Sequence, residues 1–175
     1  MIEDFFKNII QLKNIQRKGW KNHLDLKITE SVADHSYSVT MMSMILSEIQ
    51  GMNTNKIIKM ALLHDLAESI VGDLTPNEIT KSKKHILEND SMKKILSELP
   101  APLSIKYQKL WNEFQECKNE EAVFVHEIDK LEMSFQAKSY LEQGFPKEKL
   151  QVFIDSSNKE IKNKQLKKIM KNLFQ

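Results

Sequence analysis

The residues of this chain with chemistry to offer are imidazoles and carboxylates set in otherwise apolar helical text. The stretch Ala61-Leu-Leu-His-Asp-Leu-Ala-Glu68 brings His64, Asp65 and Glu68 to positions where a core would be hydrophobic. Upstream, Asp34-His35 opens a second apolar-periodic segment, and far downstream Asp129 interrupts a third. Such groups are costly to bury unless they are paired or bound to a cation. On a helix, His64 and Glu68 are four apart and share a face, while Asp65 lies about 100° round from His64. His64 and Asp65 can still converge on an ion seated over the helix surface between them. His35 and Asp129 would supply ligands from two other helices, as helix bundles do when they build metal sites. Two imidazoles and two carboxylates suit Mn, Co, Fe, Ni or Zn, and suit Mg less well. An ion held this way polarises an electrophile and makes hydroxide available at neutral pH, which is hydrolase chemistry.

A lone histidine on an apolar helix face is more often a packed core group, and His-Asp dipeptides arise by chance. The weight therefore rests on the combination of Asp34-His35, His64-Asp65, Glu68, Gly72-Asp73 and Asp129.

Helices must carry these groups. Glycine and proline, four of each, punctuate the periodic segments. Ile2, Phe5, Phe6, Ile9, Ile10 and Lys13 fall at helical spacing. Residues 17 to 30 break that pattern, and Leu24, Leu26 and Ile28 alternate as an extended connection would. A helix resumes from about 31 to 50 with Tyr37, Met41, Met44, Ile45 and Ile49 on one face. Asn53 or Thr54 can cap the next helix, which is expected to run through His64-Asp65 to about Ile70. After Pro76 the pattern weakens until Met92, Ile95, Leu96 and Leu99 mark another helix. Pro102 suits a first turn, followed by Tyr107, Trp111 and Phe114, and residues 120 to 142 form a long helix containing Asp129. The tail from 147 holds one or two more. The expectation is an all-α bundle of about six to eight helices in one domain, 1–175, with its core at about 30–140 and helices 147–175 packed on it.

Apolar residues at 41% and charged residues at 29% fit amphipathic helices. Lys plus Arg number 26 against 24 for Asp plus Glu, so net charge gives no reason to propose nucleic acid. The single cysteine, Cys117, forms no internal disulfide and favours a reducing compartment. The N-terminal text lacks the pattern of a signal peptide, and no stretch approaches the roughly 20 apolar residues that span a bilayer. A soluble, cytoplasmic protein without a membrane partner is expected. The methionines, Met41, Met42 and Met44 among them, read as adaptable core filling, and the Lys-rich tail reads as a solvated helix face. His126, one turn before Asp129, reads as a partly exposed helix histidine, and His85 and His23 as groups at the surface or supporting the site from behind its ligands.

Five motifs occur in order: Arg17-Lys-Gly-Trp20, Glu30-Ser-Val-Ala-Asp-His-Ser36, Leu63-His-Asp-Leu-Ala-Glu68, Val71-Gly-Asp-Leu74 and Ile128-Asp-Lys-Leu-Glu-Met133. Together they resemble the HD-domain metal-dependent phosphohydrolases, and within them the 5′-deoxynucleotidase branch, from about residue 5 to 155. The resemblance implies that His35, His64, Asp65 and Asp129 bind one divalent metal ion. It implies that Glu68 positions or deprotonates the attacking water, or protonates the leaving ribose oxygen. Asp73 would accept a hydrogen bond from the sugar hydroxyl and favour deoxyribose. Arg17 would offset phosphate charge through its forked donors, and Trp20 would wall the pocket. Bacterial members place Arg and Trp adjacent, whereas Lys18 and Gly19 separate them here. The implied substrate is a deoxynucleoside 5′-monophosphate, and the implied assembly a homodimer. Two other readings stay open: diester cleavage of another nucleotide on the same scaffold, and a metal- or nucleotide-binding protein without turnover.

Overall fold

The computed structural model describes residues 2–175; Met1, part of the expected 1–175 unit, lies outside them. Among the described residues there are ten α-helices, one 3-10 turn (Leu12–Asn14) and no strand. They are α1 (Ile2–Gln11), α2 (Lys18–Leu24), α3 (Val32–Ile49), α4 (Thr54–Leu63), α5 (Glu68–Val71), α6 (Lys81–Ser97), α7 (Ala101–Gln115), α8 (Glu120–Glu142), α9 (Lys147–Glu160) and α10 (Lys164–Leu173). Eight of them reach ten residues or more; α2 and α5 are the short ones.

The architecture is organised around α8, which packs against α3, α4, α7, α9 and α10. Its sequence explains this position, because Phe124, Val125, Ile128, Leu131, Met133 and Ala137 point to more than one side and are all buried. Asn119 caps it by accepting from the Ala122 amide, and Asn53 caps α4 in the same way from Lys56. The last helix is tied in through polar groups: Glu127 Oε2 accepts the Asn163 N–H at 2.8 Å, and Asn163 in turn caps α10.

Three departures from the sequence expectation bear on the site. Residues 18–24, expected as an extended connection, form α2, with Trp20 and Leu24 one turn apart and both buried. α6 begins at Lys81, well before its apolar run, because Thr80 caps a polar but helix-favouring stretch. The helix carrying His64-Asp65 does not continue to Ile70. α4 ends at Leu63, and the amides of Leu66, Glu68, Ser69 and Ile70 then bond three residues back, so the chain tightens across the His-Asp pair.

α3 turns its apolar periodicity outward. It buries Val32, His35, Ser36, Val39, Ser43 and Ser47 against α4 and α8, where small side chains permit close approach. Tyr37, Met41, Ile45 and Ile49 are exposed at 67%, 39%, 47% and 62%. Met41 is therefore not core filling, whereas Met60 and Met92 are fully buried.

Candidate active site

Local structure fixes the His64 imidazole, and a local cap with one tertiary bond fixes that of His35. A capping box between Ser31 and Asp34 starts α3 and sets the register of His35, which faces inward with no exposed surface. The Gln16–Ser31 bridge, with Arg17 N–H donating to the Glu30 carbonyl at 3.0 Å and Val32 N–H to that of Ile15 at 2.8 Å, sets Arg17 and Glu30 beside it. The tightened turn after Leu63 lets His64 Nδ1–H donate to the Ala61 carbonyl at 2.7 Å. His35 Nδ1–H donates to Glu132 Oε2, also at 2.7 Å. Both rings thus present Nε2 to the same point, a tautomer choice set by the partner of the other nitrogen.

Around that point the structure brings together all four expected ligands. His35 Nε2 lies 3.3 Å from His64 Nε2, 3.1 Å from Asp129 Oδ1 and 3.6 Å from Asp65 Oδ2. His64 Nε2 is 3.2 Å from Asp65 Oδ2. Asp65 Oδ2 is buried without a hydrogen-bond partner. Donor atoms about 3 Å apart are what an ion with bonds of about 2.1 Å demands. An orphaned carboxylate oxygen and two facing imidazole nitrogens call for a positive charge between them, so the residues fit a divalent cation. A second triad, Glu30, His35 and Glu132, lies on the Nδ1 side of His35. It is already partnered: Trp20 Nε1–H donates to Glu30 Oε1 at 2.8 Å, and Arg17 Nε stands 3.9 Å from the same oxygen.

The charge environment divides the carboxylates. Burial works against ionised Asp65, but the imidazoles of His64 and His35 and the Arg17 guanidinium hold it well below the usual range. Burial opposes ionised Asp129 too, and Lys130 and His35 outweigh it. Glu68 goes the other way: burial, with the carboxylates of Asp65 and Asp73, pushes it well above the usual range against Lys84 and Arg17. Burial and Arg17 press the His35 imidazole down, yet its bonds to Asp129 and Glu132 carry it up to about 10. Asp65 and Asp129 are thus held toward the charged form and Glu68 toward the neutral one.

Glu68 is 2% exposed; its Oε1 stands 3.4 Å from Lys84 Nζ, and its Oε2 has no hydrogen-bond partner. Gly72, at φ 75°, turns the chain back after α5 so that Asp73 Oδ2 accepts the Lys18 N–H at 2.6 Å. Asp73 thereby caps α2, whose own N-cap residue, Arg17, offers no side-chain bond. Arg17 Nη1 reaches within 3.6 Å of Asp65 Oδ2. Arg17, Asp73, Lys84 and Lys130 line a cleft of about 710 Å³, with Met133, Val152 and Phe153 on its apolar side. Trp20 borders this cleft from a buried position, its ring 4.0 Å from that of Phe153. Its main polar task is the bond to Glu30. A second cleft of about 640 Å³, beside Lys93, Ile105 and Asn112, holds none of these groups.

Sequence reasoning gave no role to Glu30, Lys84, Lys130 or Glu132, although Glu30, Lys130 and Glu132 stand inside the quoted motifs. Glu132 was findable, since it sits one turn after Asp129 on the same apolar helix; Lys84 carried no such signal in its polar stretch. His126 ties helices together, donating from Nε2 to the Phe114 carbonyl at 3.0 Å and stacking on that ring. His85 bonds Gln115, and His23 borders the cleft against Phe153.

A family model described as HD domain matches residues 9–170. The 5′-deoxynucleotidase HDDC2 of Dictyostelium discoideum is 42% identical over 88% of this chain and 86% of its own length. The human protein of the same name is 36% identical over 87% of this chain and 74% of its own. Among solved structures, the PH0347 protein from Pyrococcus horikoshii OT3 superposes with a TM-score of 0.81 at 30% identity, covering 99% of this chain and 98% of that one.

Proposed function

Because the chain belongs to the HD-domain family, we propose that it is a metal-dependent phosphohydrolase removing the 5′-phosphate from deoxynucleoside monophosphates. The products are the deoxynucleoside and inorganic phosphate. The observation that carries the reading is the convergence of four ligand atoms, one of them an orphaned carboxylate oxygen, beside a cleft lined by Arg17, Lys84 and Lys130. Homologues named 5′-deoxynucleotidase at 34–42% identity support the substrate.

His35, His64, Asp65 and Asp129 would hold one divalent ion from the set Mn, Co, Fe, Ni, Zn or Mg. Such an ion, when bound, supplies Lewis acidity and an activated water at neutral pH. Arg17 binds the phosphate through its forked donors and offsets its charge. Asp73 accepts a hydrogen bond from the sugar hydroxyl and favours deoxyribose. As water attacks phosphorus the P–O5′ bond breaks, and Glu68, which burial keeps prone to hold a proton, donates that proton to the departing O5′. The attacking water's proton restores Glu68.

The exposed stripe of Tyr37, Met41, Ile45 and Ile49 supports a homodimer, since its four-residue spacing is the ridge that helices interlock. No helix among the described residues is long and apolar enough to cross a membrane. A cytoplasmic location is supported by the single, exposed cysteine, Cys117, and the near-balanced net charge gives no reason to propose nucleic acid as a partner.

The test is phosphate release from deoxy- and ribonucleoside 5′-monophosphates by metal-stripped protein resupplied with Mn, Co, Mg or Zn. Metal-dependent release confined to deoxynucleotides is expected. Cleavage of diesters with none of monoesters refutes the proposal, as does metal binding without turnover.

A further inference from the structure

The polar first half of α6 contributes a side chain that neither the periodicity nor the ligand set explains. Lys84 Nζ donates to the Leu74 carbonyl at 3.1 Å and stands 3.4 Å from both Glu68 Oε1 and Glu88 Oε1. One ammonium thus joins α5, the turn bearing Asp73, and α6. Its side chain is 30% exposed toward the cleft, while Glu68 beneath it is 2% exposed. The carboxylates of Asp65 and Asp73 repel a charge on Glu68, and the Lys84 cation is its main counter-charge, with Arg17 weaker in effect.

The two oxygens of Glu68 have different surroundings. Oε1 is engaged by Lys84, and Oε2 is buried with no hydrogen-bond partner. A carboxyl with one oxygen anchored loses the freedom to rotate its other oxygen away from the reacting atoms, and such orientation is a large part of what a site contributes to rate.

We propose that Lys84 is a positioning residue: by clamping Glu68 Oε1 and the Leu74 carbonyl together, it presents Glu68 Oε2 to the scissile phosphate ester and holds Asp73 in register with it. This rests on the phosphohydrolase reading above and adds to it the residue that orients its acid–base group. It follows that Lys84 acts on turnover rather than on substrate or metal affinity. It also follows that loosening the clamp blurs the choice between deoxyribose and ribose, because the turn carrying Asp73 is released with Glu68.

The experiment compares wild type, Lys84→Met, Lys84→Gln and Lys84→Arg, each loaded with Mn. It measures kcat and KM on a deoxynucleoside and a ribonucleoside 5′-monophosphate, bound Mn, and melting temperature. A misplacement of about 1 Å costs on the order of 100-fold in rate. Lys84→Met is expected to lose about 10- to 100-fold in kcat, with KM and bound Mn changed less than threefold and a smaller deoxy-to-ribo ratio. Lys84→Arg, which keeps the charge and donors, is expected to recover most of the rate. Lys84→Gln keeps a donor for Leu74 without the charge and is expected to fall between, and it carries the test if Lys84→Met does not fold. Folded neutral variants with wild-type kcat overturn the proposal. So does a loss confined to KM, which makes Lys84 a phosphate ligand, and so does a loss that Lys84→Arg does not recover. A wild-type protein inactive on every monophosphate overturns the phosphohydrolase reading itself and this proposal with it, an outcome the wild-type arm alone reveals.

Discussion

Glu132→Gln probes the metal site from a residue that touches no metal in the proposed arrangement. Glu132 Oε2 accepts from His35 Nδ1 at 2.7 Å in a pocket where Glu132 is 3% exposed. The bond fixes the tautomer that leaves His35 Nε2 free as a ligand, and the carboxylate charge makes the ring a better electron donor. A buried hydrogen bond to a charged group contributes about 1.5–3 kcal/mol, which is roughly 10- to 150-fold in an equilibrium constant. Glutamine keeps the shape and one acceptor but loses the charge, so the expected weakening of metal binding is about 10- to 100-fold, in line with losses on removing such supports. The assay is competition for Mn or Co against a chelator of known affinity, with circular dichroism to establish that the variant is folded. The sign at Glu30 gives a second check, because burial and the Glu132 charge together push the Glu30 carboxyl up. Neutralising Glu132 should bring Glu30 back toward its ordinary value. A folded Glu132→Gln protein that binds metal within twofold of wild type would refute the reasoning.

Three further outcomes are expected. Glu68→Gln should lower kcat by at least about 100-fold, the scale of acid–base assistance, while bound metal stays near wild type; full activity in that variant removes Glu68 from the mechanism. Metal affinity should fall as pH falls, because His35, raised to about 10 in the metal-free protein, must lose its proton to bind. Between pH 9 and 6 that is about tenfold per unit if one proton is displaced, and isothermal titration in buffers of different ionisation enthalpy counts the proton; a flat profile contradicts it. Ile45→Glu, placed mid-stripe on α3 where the residue is 47% exposed, should sediment as a monomer with unchanged helicity while wild type sediments as a dimer. An unchanged dimer removes this face from the interface.

How much of this was legible in the sequence differs by residue for physical reasons. His64, Asp65 and Asp129 stood out in combination, because several ionisable groups in greasy helices are costly to bury unless they are paired or bound to a cation. Long α8 was readable end to end, since Asn119 caps it and its apolar content never lapses. The side of α3 that faces inward was not readable from hydropathy. Its core side is built from Ser36, Ser43, Ser47 and Val39, so the stronger apolar period marks the side left exposed. α2 was missed because seven residues containing Gly19 carry too little periodicity, and only Trp20 and Leu24 hint at it. Glu30 was hidden because it lies in the irregular stretch before α3, where no periodicity says which way a side chain faces, whereas Glu132, one turn after Asp129, was findable but was given no role. Lys84 was hidden because a lysine in a polar helical stretch is ordinarily solvated, and the carboxylate of Glu68 and the carbonyl of Leu74 that justify its position lie 16 and 10 positions away.

The bond from the Lys18 amide to Asp73 Oδ2 joins two parts of the chain 55 positions apart. Under the proposed roles, one carboxylate reads the sugar and also secures the start of the helix that Arg17 precedes. Selection on sugar preference at position 73 is therefore never independent of phosphate grip at position 17. A lineage that drifts toward ribonucleotides by changing Asp73 must at the same step find another cap for α2, or accept a displaced arginine. Such a double requirement makes the intermediate genotypes poor enzymes, and the preference for deoxyribose should be correspondingly slow to evolve away.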